Sequence, residues 1–354
     1  MAQKSKVHLV ADDNGYADHK LAFFNGTKIE CIKIPTSVQI GGSSLTSVDG
    51  TKSGLYNVQD ISAGQEGGFQ TYFCSAAVTQ PLNLRNSEYP FSEANRVLMH
   101  HALHEAGFHG KSVVVGVTLP FRDFYTSDGG LNTPYHQRTI ENFMLNNVEG
   151  QDGGKVKIDK ARVFPEALSA FYDWGLDDEG NMTPGYEDID ANDGSVLVVD
   201  IGGSTTDIVC VTLIDGNLMI DHSRSGTEKV GVLDVKEKIN EAYQALTGVG
   251  HSSVLSQRAI SKIMETGMHR SAGREVDMRA QVDQILKTVT HKIVTYLQSK
   301  AGSFHDYQAI RFVGGGAVLF GKALKTAVPA ATMGDEFANA RGVLKYMLAQ
   351  QLPE

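Results

Sequence analysis

The sequence predicts an α/β fold with two related halves, and three observations support this prediction. One apolar strand pattern ends at Asp13-Asn14-Gly15, and a second ends at Asp200-Ile201-Gly202, about one domain further along the chain. Each turn is followed by another apolar run and a hairpin turn, at Asn25-Gly26 and at Asp215-Gly216. Strand patterns alternate with helical ones over the whole chain, which is typical of mostly parallel sheets.

Local patterns predict the elements of the first half. Residues 6–34 form a strand, a turn and a hairpin, and Ser92 is a candidate N-cap for a helix that ends at Gly107. The valine-rich run at 111–118 is typical of a buried parallel strand. Further strands are predicted near 54–58 and 71–76 and at 155–163, and further helices at 139–147 and from Pro165 to about Tyr172.

The second half repeats this scheme after an acidic stretch. Residues 175–194 contain seven carboxylates and no Lys or Arg, so we predict a solvated loop there. The predicted elements that follow are a hairpin at 196–223, helices at 233–246, 253–266 and 276–299, and a strand with a glycine turn at 310–316.

The two Asp-containing turns are candidate phosphate sites. A carboxylate and then a glycine at the end of a buried strand place a metal-capable oxygen beside backbone N–H groups, and such tight turns form anion-binding concavities. The second turn adds Ser204, Thr205 and Thr206, whose hydroxyls can donate to phosphate oxygens. The triple glycine 314–316, between a strand and a helix, leaves room for a flat base or sugar. Together the three turns predict a site for a polyphosphate and its Mg²⁺.

These motifs resemble those of the actin superfamily. Asp13-Asn14-Gly15 with Lys20 is similar to the first phosphate motif of actin, and residues 200–207 to the second phosphate motif of actins, sugar kinases and heat-shock chaperones. Residues 313–317 are similar to the adenosine motif of the same superfamily. Segments 114–120 and 163–167 resemble those before and at the catalytic glutamate of ParM (StbA), the bacterial actin-like ATPases that segregate plasmids; 100–103 and 337–342 also fit that family.

The resemblance spans most of the chain. The chain differs from the actin pattern in one turn, and the resemblance implies a fold. Tyr16 and Ala17 stand where actin has serine and glycine, so backbone N–H groups and Lys20 are expected to replace a hydroxyl contact to phosphate. The resemblance implies an actin-like, ribonuclease H-like α/β fold with two duplicated βββαβα-type domains around a nucleotide cleft. Residues 1–165 would form domain I, with about 335–354 packing back onto it, and 166–334 would form domain II.

The resemblance also implies a nucleotide site for ATP, with GTP left open, and Mg²⁺. The expected catalytic residues are Glu166, which would orient or deprotonate the attacking water, together with Asp200 and Asp13. Both aspartates would hold Mg²⁺ through its waters, because Mg²⁺ dehydrates reluctantly, and Lys20 would contact phosphate as a point charge. The other expected contacts are Asn14, Gly15, Gly202, Gly203, Ser204, Thr205 and Thr206 to phosphates, Gly314, Gly315 and Gly316 to adenosine, and Lys236 and Glu237 to ribose.

Three functions fit these motifs. The leading one is an ATPase that polymerises into dynamic filaments on binding Mg-ATP and segregates plasmid DNA through a ParR-like adaptor. The alternatives are a small-molecule kinase of the same fold and a non-motor scaffold of cell division or pilus assembly. Direct duplex binding is not expected, because 41 acidic residues outnumber 32 basic ones and no basic cluster is present.

Composition also bears on location. No run of 18 apolar residues occurs and the first twenty residues lack an apolar signal segment, so neither membrane contact nor secretion is expected. Three scattered cysteines suit a reducing compartment, and we expect a bacterial cytoplasmic protein. His100 and His104, four residues apart beside Glu105, have a spacing seen in zinc sites. Because HExxH order and a third ligand are missing, we predict a half-exposed helix instead.

Overall fold

Two mixed sheets organise the computed structural model, which describes residues 8–42, 54–60, 68–78, 81–151, 153–250, 254–271 and 273–350. The elements of the first half are β1 (His8–Asn14), β2 (Asp18–Asn25), β3 (Lys28–Pro35), β4 (Val38–Ile40), β5 (Leu55–Gln59), β6 (Phe69–Cys74), α1 (Glu93–Glu105), β7 (Ser112–Leu119), α2 (Phe121–Phe124), α3 (Thr133–Met144), β8 (Val148–Gly150), β9 (Lys157–Pro165) and α4 (Leu168–Gly175).

The elements of the second half follow in the same alternation of strands and helices. They are α5 (Pro184–Ala191), β10 (Ser195–Ile201), β11 (Thr206–Ile214), β12 (Asn217–Ile220), β13 (Gly226–Glu228), α6 (Val232–Thr247), α7 (Gln257–Thr266), β14 (Met268–Ser271), β15 (Arg274–Asp277), α8 (Arg279–Ala301), β16 (Ala309–Val313), α9 (Gly315–Ala327), β17 (Thr332–Met333) and α10 (Ala338–Ala349).

The two main sheets have the same topology, which confirms the predicted duplication. The first has the order β3-β2-β1-β7-β9 and the second β12-β11-β10-β16-β17, with β13 also paired to β11. In each, the central strand is antiparallel to the next strand of the chain and parallel to a later one. We call the parts built on these sheets the first and second lobes. A separate sheet of order β4-β6-β5-β8 belongs to the first half.

The register of the two central hairpins brings equivalent positions opposite each other. Asp13 in β1 pairs with Lys20 in β2, and Asp200 in β10 pairs with Asp207 in β11. The strands around them are continuous in buried β-branched and aliphatic residues, as expected for sheets covered on both faces. Each lobe therefore presents one fixed acidic position at the end of its central strand.

The last helix returns to the first lobe. Val343, Leu344 and Met347 of α10 form a buried cluster with Ala11 of β1 and Ala22 of β2. A Cβ atom at Gly116 of β7 would lie 2.4 Å from Val343 Cγ1, so only glycine lets this helix approach the sheet. The same helix packs closely against α4, and it thus touches both the first sheet and the segment that follows Glu166.

The acidic stretch 175–194 contains a helix, so its prediction as a loop was wrong. Thr183 caps α5, accepting a hydrogen bond from Tyr186 N at 3.3 Å, and Pro184 occupies the first turn. Tyr186 and Ile189, three residues apart, bury one face. The carboxylates lie on the other faces, where a solvated helix tolerates them.

Other boundaries also differ from the predictions. The first two residues of the helix predicted at 276–299 belong to β15 of the hairpin β14–β15, and α8 begins only at Arg279, whose N–H donates to Asp277 Oδ1 at 3.1 Å. Helix α3 spans 133–144 rather than 139–147. Helix α1 is buried over most of its length, His100 included, so its prediction as half-exposed was wrong. Among the described residues, no helix is long and apolar enough to cross a membrane.

Candidate functional site

The first Asp turn carries a buried ion pair. Asp13 Oδ2 accepts a hydrogen bond from Lys20 Nζ at 2.9 Å, and its Oδ1 accepts one from Thr118 Oγ1 at 3.0 Å. Asn14 Oδ1 accepts from the backbone N–H of Thr118 at 3.0 Å. Burial alone would lower the pKa of Lys20, but the charge of Asp13 raises it above the ordinary value. Lys20, in β2 opposite Asp13, is therefore favoured in its charged form beside the end of β1.

The turn after this pair is fixed by Thr36. Thr36 Oγ1 donates to Gly15 O at 2.7 Å, and its N–H donates to Ala17 O at 3.0 Å. The Tyr16 hydroxyl donates to Asn86 O at 3.2 Å. This contact directs the hydroxyl toward a neighbouring loop of the first half, in keeping with the expectation that Tyr16 does not replace the serine of actin.

The second Asp turn is anchored on the start of α6. The N–H groups of Val232 and Leu233 donate to the carbonyls of Gly202 and Gly203, at 3.1 and 2.8 Å. A Cβ at Gly203 would lie 2.6 Å from the Cβ of Ala17, so the two turns touch and only glycine fits at this contact. The two Asp turns, one from each lobe, thus face each other directly.

The three hydroxyl residues of the second turn differ in their roles. Ser204 and Thr205 are buried in the turn, and Ser204 Oγ accepts a hydrogen bond from Arg85 Nε at 2.7 Å. Thr206 begins β11, and its Oγ1 donates to Val230 O at 2.8 Å. The structure therefore places Thr206 next to the predicted site but uses its hydroxyl proton within the fold.

The glycine turn packs on the second Asp turn. Gly314 has φ +86°, a conformation that favours glycine, and a Cβ there would lie 2.3 Å from Asp200 Oδ1. Gly315 and Gly316 already form the first turn of α9, whereas all three were predicted to precede it. Within the described residues, a Cβ at Gly315 would have a single neighbouring atom within 4 Å, Glu336 Oε2 at 3.8 Å, so this face of the helix N-terminus is open.

Glu166 sits on a strained turn between β9 and α4. Its N–H donates to Leu119 O at 2.8 Å, and its own carbonyl accepts from Leu168 N at 2.7 Å. Ala167, the central residue of this three-residue turn, has φ +62° and ψ −45°. Such γ-turns are rare, and positive φ at a residue other than glycine is strained. The two hydrogen bonds hold the backbone of Glu166 in place on this turn.

Asn339 of α10 connects this turn to the second aspartate. Its Nδ2 donates to Asp200 Oδ2 at 2.6 Å, and its Oδ1 accepts from Ala167 N at 3.1 Å. All three groups are buried. One amide thus sets the position of Asp200 and of the backbone next to Glu166.

Four buried carboxylates lie in this region with Lys20, those of Asp13, Glu166, Asp200 and Asp207. Burial and then the neighbouring carboxylates raise the pKa of Glu166 well above its ordinary value. Burial, followed by the charge of Asp13, raises the pKa of Asp200 to about 7. Burial raises the pKa of Asp207 to about 6. A cluster with this excess of negative charge favours a cation beside it.

The donor set fits Mg²⁺ bound through water. Asp13 and Asp200 end the two central strands and would hold the ion from both lobes. The described residues contain no group of three or more His, Cys, Asp or Glu placed as direct metal ligands. Mg²⁺ commonly keeps several waters and takes one or two carboxylates plus substrate phosphates, which is the arrangement this site offers.

Asp207 and Arg85 join the lobes and, like Asn339, were not predicted as site residues. Asp207 Oδ1 accepts from the backbone N–H of Phe121 at 2.8 Å, a link from β11 to α2. Asp207 follows Asp200 by seven residues, just as Lys20 follows Asp13. This equal spacing was the sequence signal that could have identified Asp207 as a site residue. Arg85 contacts the second lobe at Ser204, Asp234 and Glu237, and nothing in its local sequence marks it.

Lys236 and Glu237 lie on α6 at a cavity between the lobes. The cavity has a volume of about 420 Å³, and Ala17, Asp18 and Arg85 also line it. Burial lowers the pKa of Lys236, and Glu237 Oε1 accepts from Arg85 Nη1 at 3.0 Å. The predicted ribose residues are thus on the cleft wall, apart from the carboxylate cluster.

Two protein families match the chain in succession. The N-terminal family of the plasmid segregation protein ParM matches residues 10–175, and the C-terminal family of archaeal MreB-like actin homologues matches residues 198–326. An archaeal actin homologue of Thermoplasma volcanium is 26% identical over 256 residues, which cover 68% of this chain and 71% of that protein.

Solved structures of actin-like proteins share the fold over nearly the whole chain. A 15-stranded ParM filament from Clostridium botulinum superposes with a TM-score of 0.74 at 18% identity, covering 98% of this chain and 100% of that one. An archaeal actin homologue in complex with ADP has a TM-score of 0.70 at 19% identity, with the same coverage. Bacillus thuringiensis ParM with AMPPNP has a TM-score of 0.61 at 15% identity, covering 98% and 99%.

Proposed function

We propose that the chain is a filament-forming ATPase, because its fold is that of actin-like proteins and its residues 10–175 match the N-terminal family of ParM. ATP and Mg²⁺ would bind between the lobes, where the two Asp turns face each other. The observation that carries the proposal is the contact of Gly203 with Ala17, because it brings the phosphate turns of both lobes to one place.

In this proposal, positioning and charge stabilisation supply most of the catalysis, as is general for phosphoryl transfer. Lys20 and the N–H groups around Gly15 would hold phosphate oxygens from the first lobe, and Ser204 and Thr205 from the second. Mg²⁺, held by Asp13 and Asp200, would neutralise phosphate charge. Gly314, Gly315 and Gly316 would face the adenosine, and Lys236 and Glu237 the ribose.

Glu166 is the proposed base. Its raised pKa brings a carboxylate closer to the range in which it can accept a proton from water near neutral pH. Its position is set by the strained turn at Ala167 and by Asn339. It would orient the attacking water and accept its proton as the γ-phosphate bond breaks.

ATP is proposed to promote assembly by holding the lobes together. Both lobes contribute phosphate contacts, so a triphosphate between them favours the closed arrangement. A ligand shifts an equilibrium only by its difference in affinity for the two states, and loss of the γ-phosphate removes part of that difference. Filaments of this chain would therefore form with ATP and weaken after hydrolysis.

The proposed role in the bacterial cytoplasm is plasmid segregation through an adaptor. The excess of acidic over basic residues disfavours direct binding to DNA phosphates. A small ParR-like DNA-binding adaptor would bind the centromere-like DNA and contact the filament end. In co-sedimentation at physiological salt, the chain should carry duplex DNA only when such an adaptor is present; strong adaptor-independent binding would contradict this role.

Nucleotide binding and turnover of two variants test the enzymatic part. Asp200→Ala should lose Mg²⁺-dependent ATP binding, whereas Glu166→Ala should bind ATP and hydrolyse it much more slowly. Glu187→Ala, at an exposed carboxylate of α5, is the matched control and should behave as wild type. A wild-type hydrolysis rate in Glu166→Ala would show that the base is assigned incorrectly.

A further inference from the structure

A loop of the first half contacts both phosphate turns. This 83–88 loop lies between β6 and α1. Asn86 O accepts the hydroxyl of Tyr16 from the first turn at 3.2 Å, and Arg85 Nε donates to Ser204 Oγ of the second turn at 2.7 Å. The loop is itself fixed, since Arg85 N donates to Asn83 Oδ1 at 3.2 Å. It forms a third wall beside the two Asp turns.

Among the described residues, the hydrogen-bond partners of the Arg85 guanidinium all lie in the second lobe. Besides Ser204 Oγ, it donates from Nη2 to Asp234 Oδ2 and from Nη1 to Glu237 Oε1, each at 3.0 Å. Its side chain is only 24% exposed. Together with a longer contact of Nη2 to Ser204 O at 3.4 Å, these hydrogen bonds to three residues hold the plane of the guanidinium, which a flexible surface ion pair would not do.

The contact with Ser204 determines where the serine proton can go. A serine hydroxyl has one donor and two acceptor positions. Arg85 Nε–H occupies an acceptor position, and a guanidinium cannot accept a hydrogen bond in return. The hydroxyl proton of Ser204 must therefore be directed to another acceptor. A cationic donor on the oxygen also strengthens that hydroxyl as a donor.

Asp234 ties this contact to the glycine turn. Its Oδ2 also accepts from Gly231 N at 2.8 Å at the start of α6. The next two N–H groups of the helix bind the carbonyls of Gly202 and Gly203. Arg85, the start of α6 and the second turn are therefore one hydrogen-bonded unit, with the loop of the first half attached to it.

We propose that Arg85 is a positioning residue of the nucleotide site: it orients the Ser204 hydroxyl to donate to the terminal phosphate of a nucleoside triphosphate. Through this contact, a residue of the first half determines how the turn of the second lobe binds the terminal phosphate. The inference rests on the proposed ATPase function, and it adds a residue that acts through Ser204 rather than on the nucleotide itself.

A double-mutant cycle on nucleotide affinity tests this role. The probes are Mg²⁺-bound AMPPNP and Mg²⁺-bound ADP, and the variants are Arg85→Gln, Ser204→Ala and the double variant. Each single change should weaken AMPPNP binding by about tenfold, the usual effect of losing a hydrogen bond to a charged group, and weaken ADP binding by less than about twofold. The double variant should be no weaker than Ser204→Ala alone, because the two residues act as one unit.

Two further variants test whether Arg85 orients the Ser204 hydroxyl or only holds the two lobes together. Arg85→Lys keeps a cation for Asp234 and Glu237 but lacks the planar Nε donor, so it should lose AMPPNP affinity as Arg85→Gln does. Arg138→Gln removes an exposed guanidinium that pairs with Glu88 at the end of the same loop; it should bind both nucleotides as wild type does.

The outcomes distinguish this inference from the proposed function. Suppose that Arg85→Gln loses AMPPNP and ADP affinity equally, and that its effect is additive with that of Ser204→Ala. Arg85 would then only hold the lobes together, which overturns the inference and leaves the ATPase proposal intact. Wild-type AMPPNP affinity in Arg85→Lys would also overturn it. Failure of the wild-type chain to bind either nucleotide would overturn both.

Discussion

Asn339 donates a hydrogen bond to Asp200 at 2.6 Å across 139 residues of chain. It thereby joins the helix that packs on the first sheet to the carboxylate that ends the central strand of the second. Its other amide atom accepts from Ala167, next to Glu166. Two of the proposed catalytic carboxylates, Asp200 and Glu166, are thus positioned by one side chain that need not touch the nucleotide.

Asn339→Ala should therefore lower ATP turnover more than ATP binding. Asp200 loses a hydrogen bond that favours its charged form, and Ala167 N–H loses its buried acceptor. We expect kcat to fall by roughly ten- to a hundredfold, since a hydrogen bond to a charged group contributes about 1.5–3 kcal/mol. Steady-state kinetics measures this. Asn217→Ala, at an exposed amide in the first residue of β12, is the matched control, and equal kcat in the two variants would contradict the role of Asn339.

Ala167→Gly should separate activity from stability. Glycine stabilises the fold by removing strain of about 1–3 kcal/mol. It destabilises the fold by about 0.8 kcal/mol through loss of a buried methyl and by about 0.4–1 kcal/mol through the larger entropy of the unfolded chain. The free energy of unfolding should thus change by less than about 2 kcal/mol. The freed turn should no longer hold Glu166, so kcat should fall. Thermal unfolding and turnover measured together check this, and unchanged kcat would mean that the strained turn does not position the base.

Asp207→Asn should shift the pH dependence of turnover to lower pH. Among its neighbours, Asp207 contributes most to raising the pKa of Glu166, after burial. Removing this charge lowers the Glu166 pKa, so the base loses its proton at lower pH and the rising limb of the kcat profile moves down. Asparagine can still accept the hydrogen bond from Phe121. Asp190→Asn, at an exposed position of α5, should leave the profile in place; a shift of Asp207→Asn to higher pH would contradict the electrostatic account.

His100→Met should make the fold less sensitive to acid. Burial, and then the charge of Arg96, lowers the pKa of His100 to about 3, whereas it is about 6.5 in an unfolded chain. Between these values the unfolded state binds the extra proton, so stability is lost as pH falls below about 6.5, by up to about 1.4 kcal/mol per pH unit. Chemical denaturation at pH 8 gives the packing effect alone. A difference between wild type and variant that does not change from pH 8 to pH 5 would exclude this linkage.

The sequence predicted the parts of the molecule that local patterns encode. The ends of β1 and β10, the cap of α1 at Ser92 and the hairpin turns follow from periodicity and turn chemistry within a few residues. Helix α5 was missed because its carboxylates dominate the composition, while only Tyr186 and Ile189 mark its buried face. The hairpin β14–β15 was not predicted: its last two residues were assigned to the helix that follows, and the residues before them to no element.

The parts of the site that depend on long-range contacts could not be predicted in this way. Arg85 and Ser204 are 119 residues apart, and Asn339 and Ala167 are 172 residues apart. No local pattern links them, because only the folded chain brings α10 and the 83–88 loop to the Asp turns. The roles of Asp13, Lys20, Glu166 and Asp200 remain predictions, now with a common location.

Light scattering of the purified chain after a limited addition of Mg-ATP tests the central claim most directly. For wild type we predict a rise as filaments form and a decline as ATP is consumed. Glu166→Ala should show the same rise and a decline slower by about tenfold or more, because hydrolysis by the proposed base weakens the filament. No rise over a wide range of protein and Mg-ATP concentrations would contradict filament assembly and favour a kinase of the same fold. An equal decline in the two proteins would contradict its coupling to hydrolysis at Glu166.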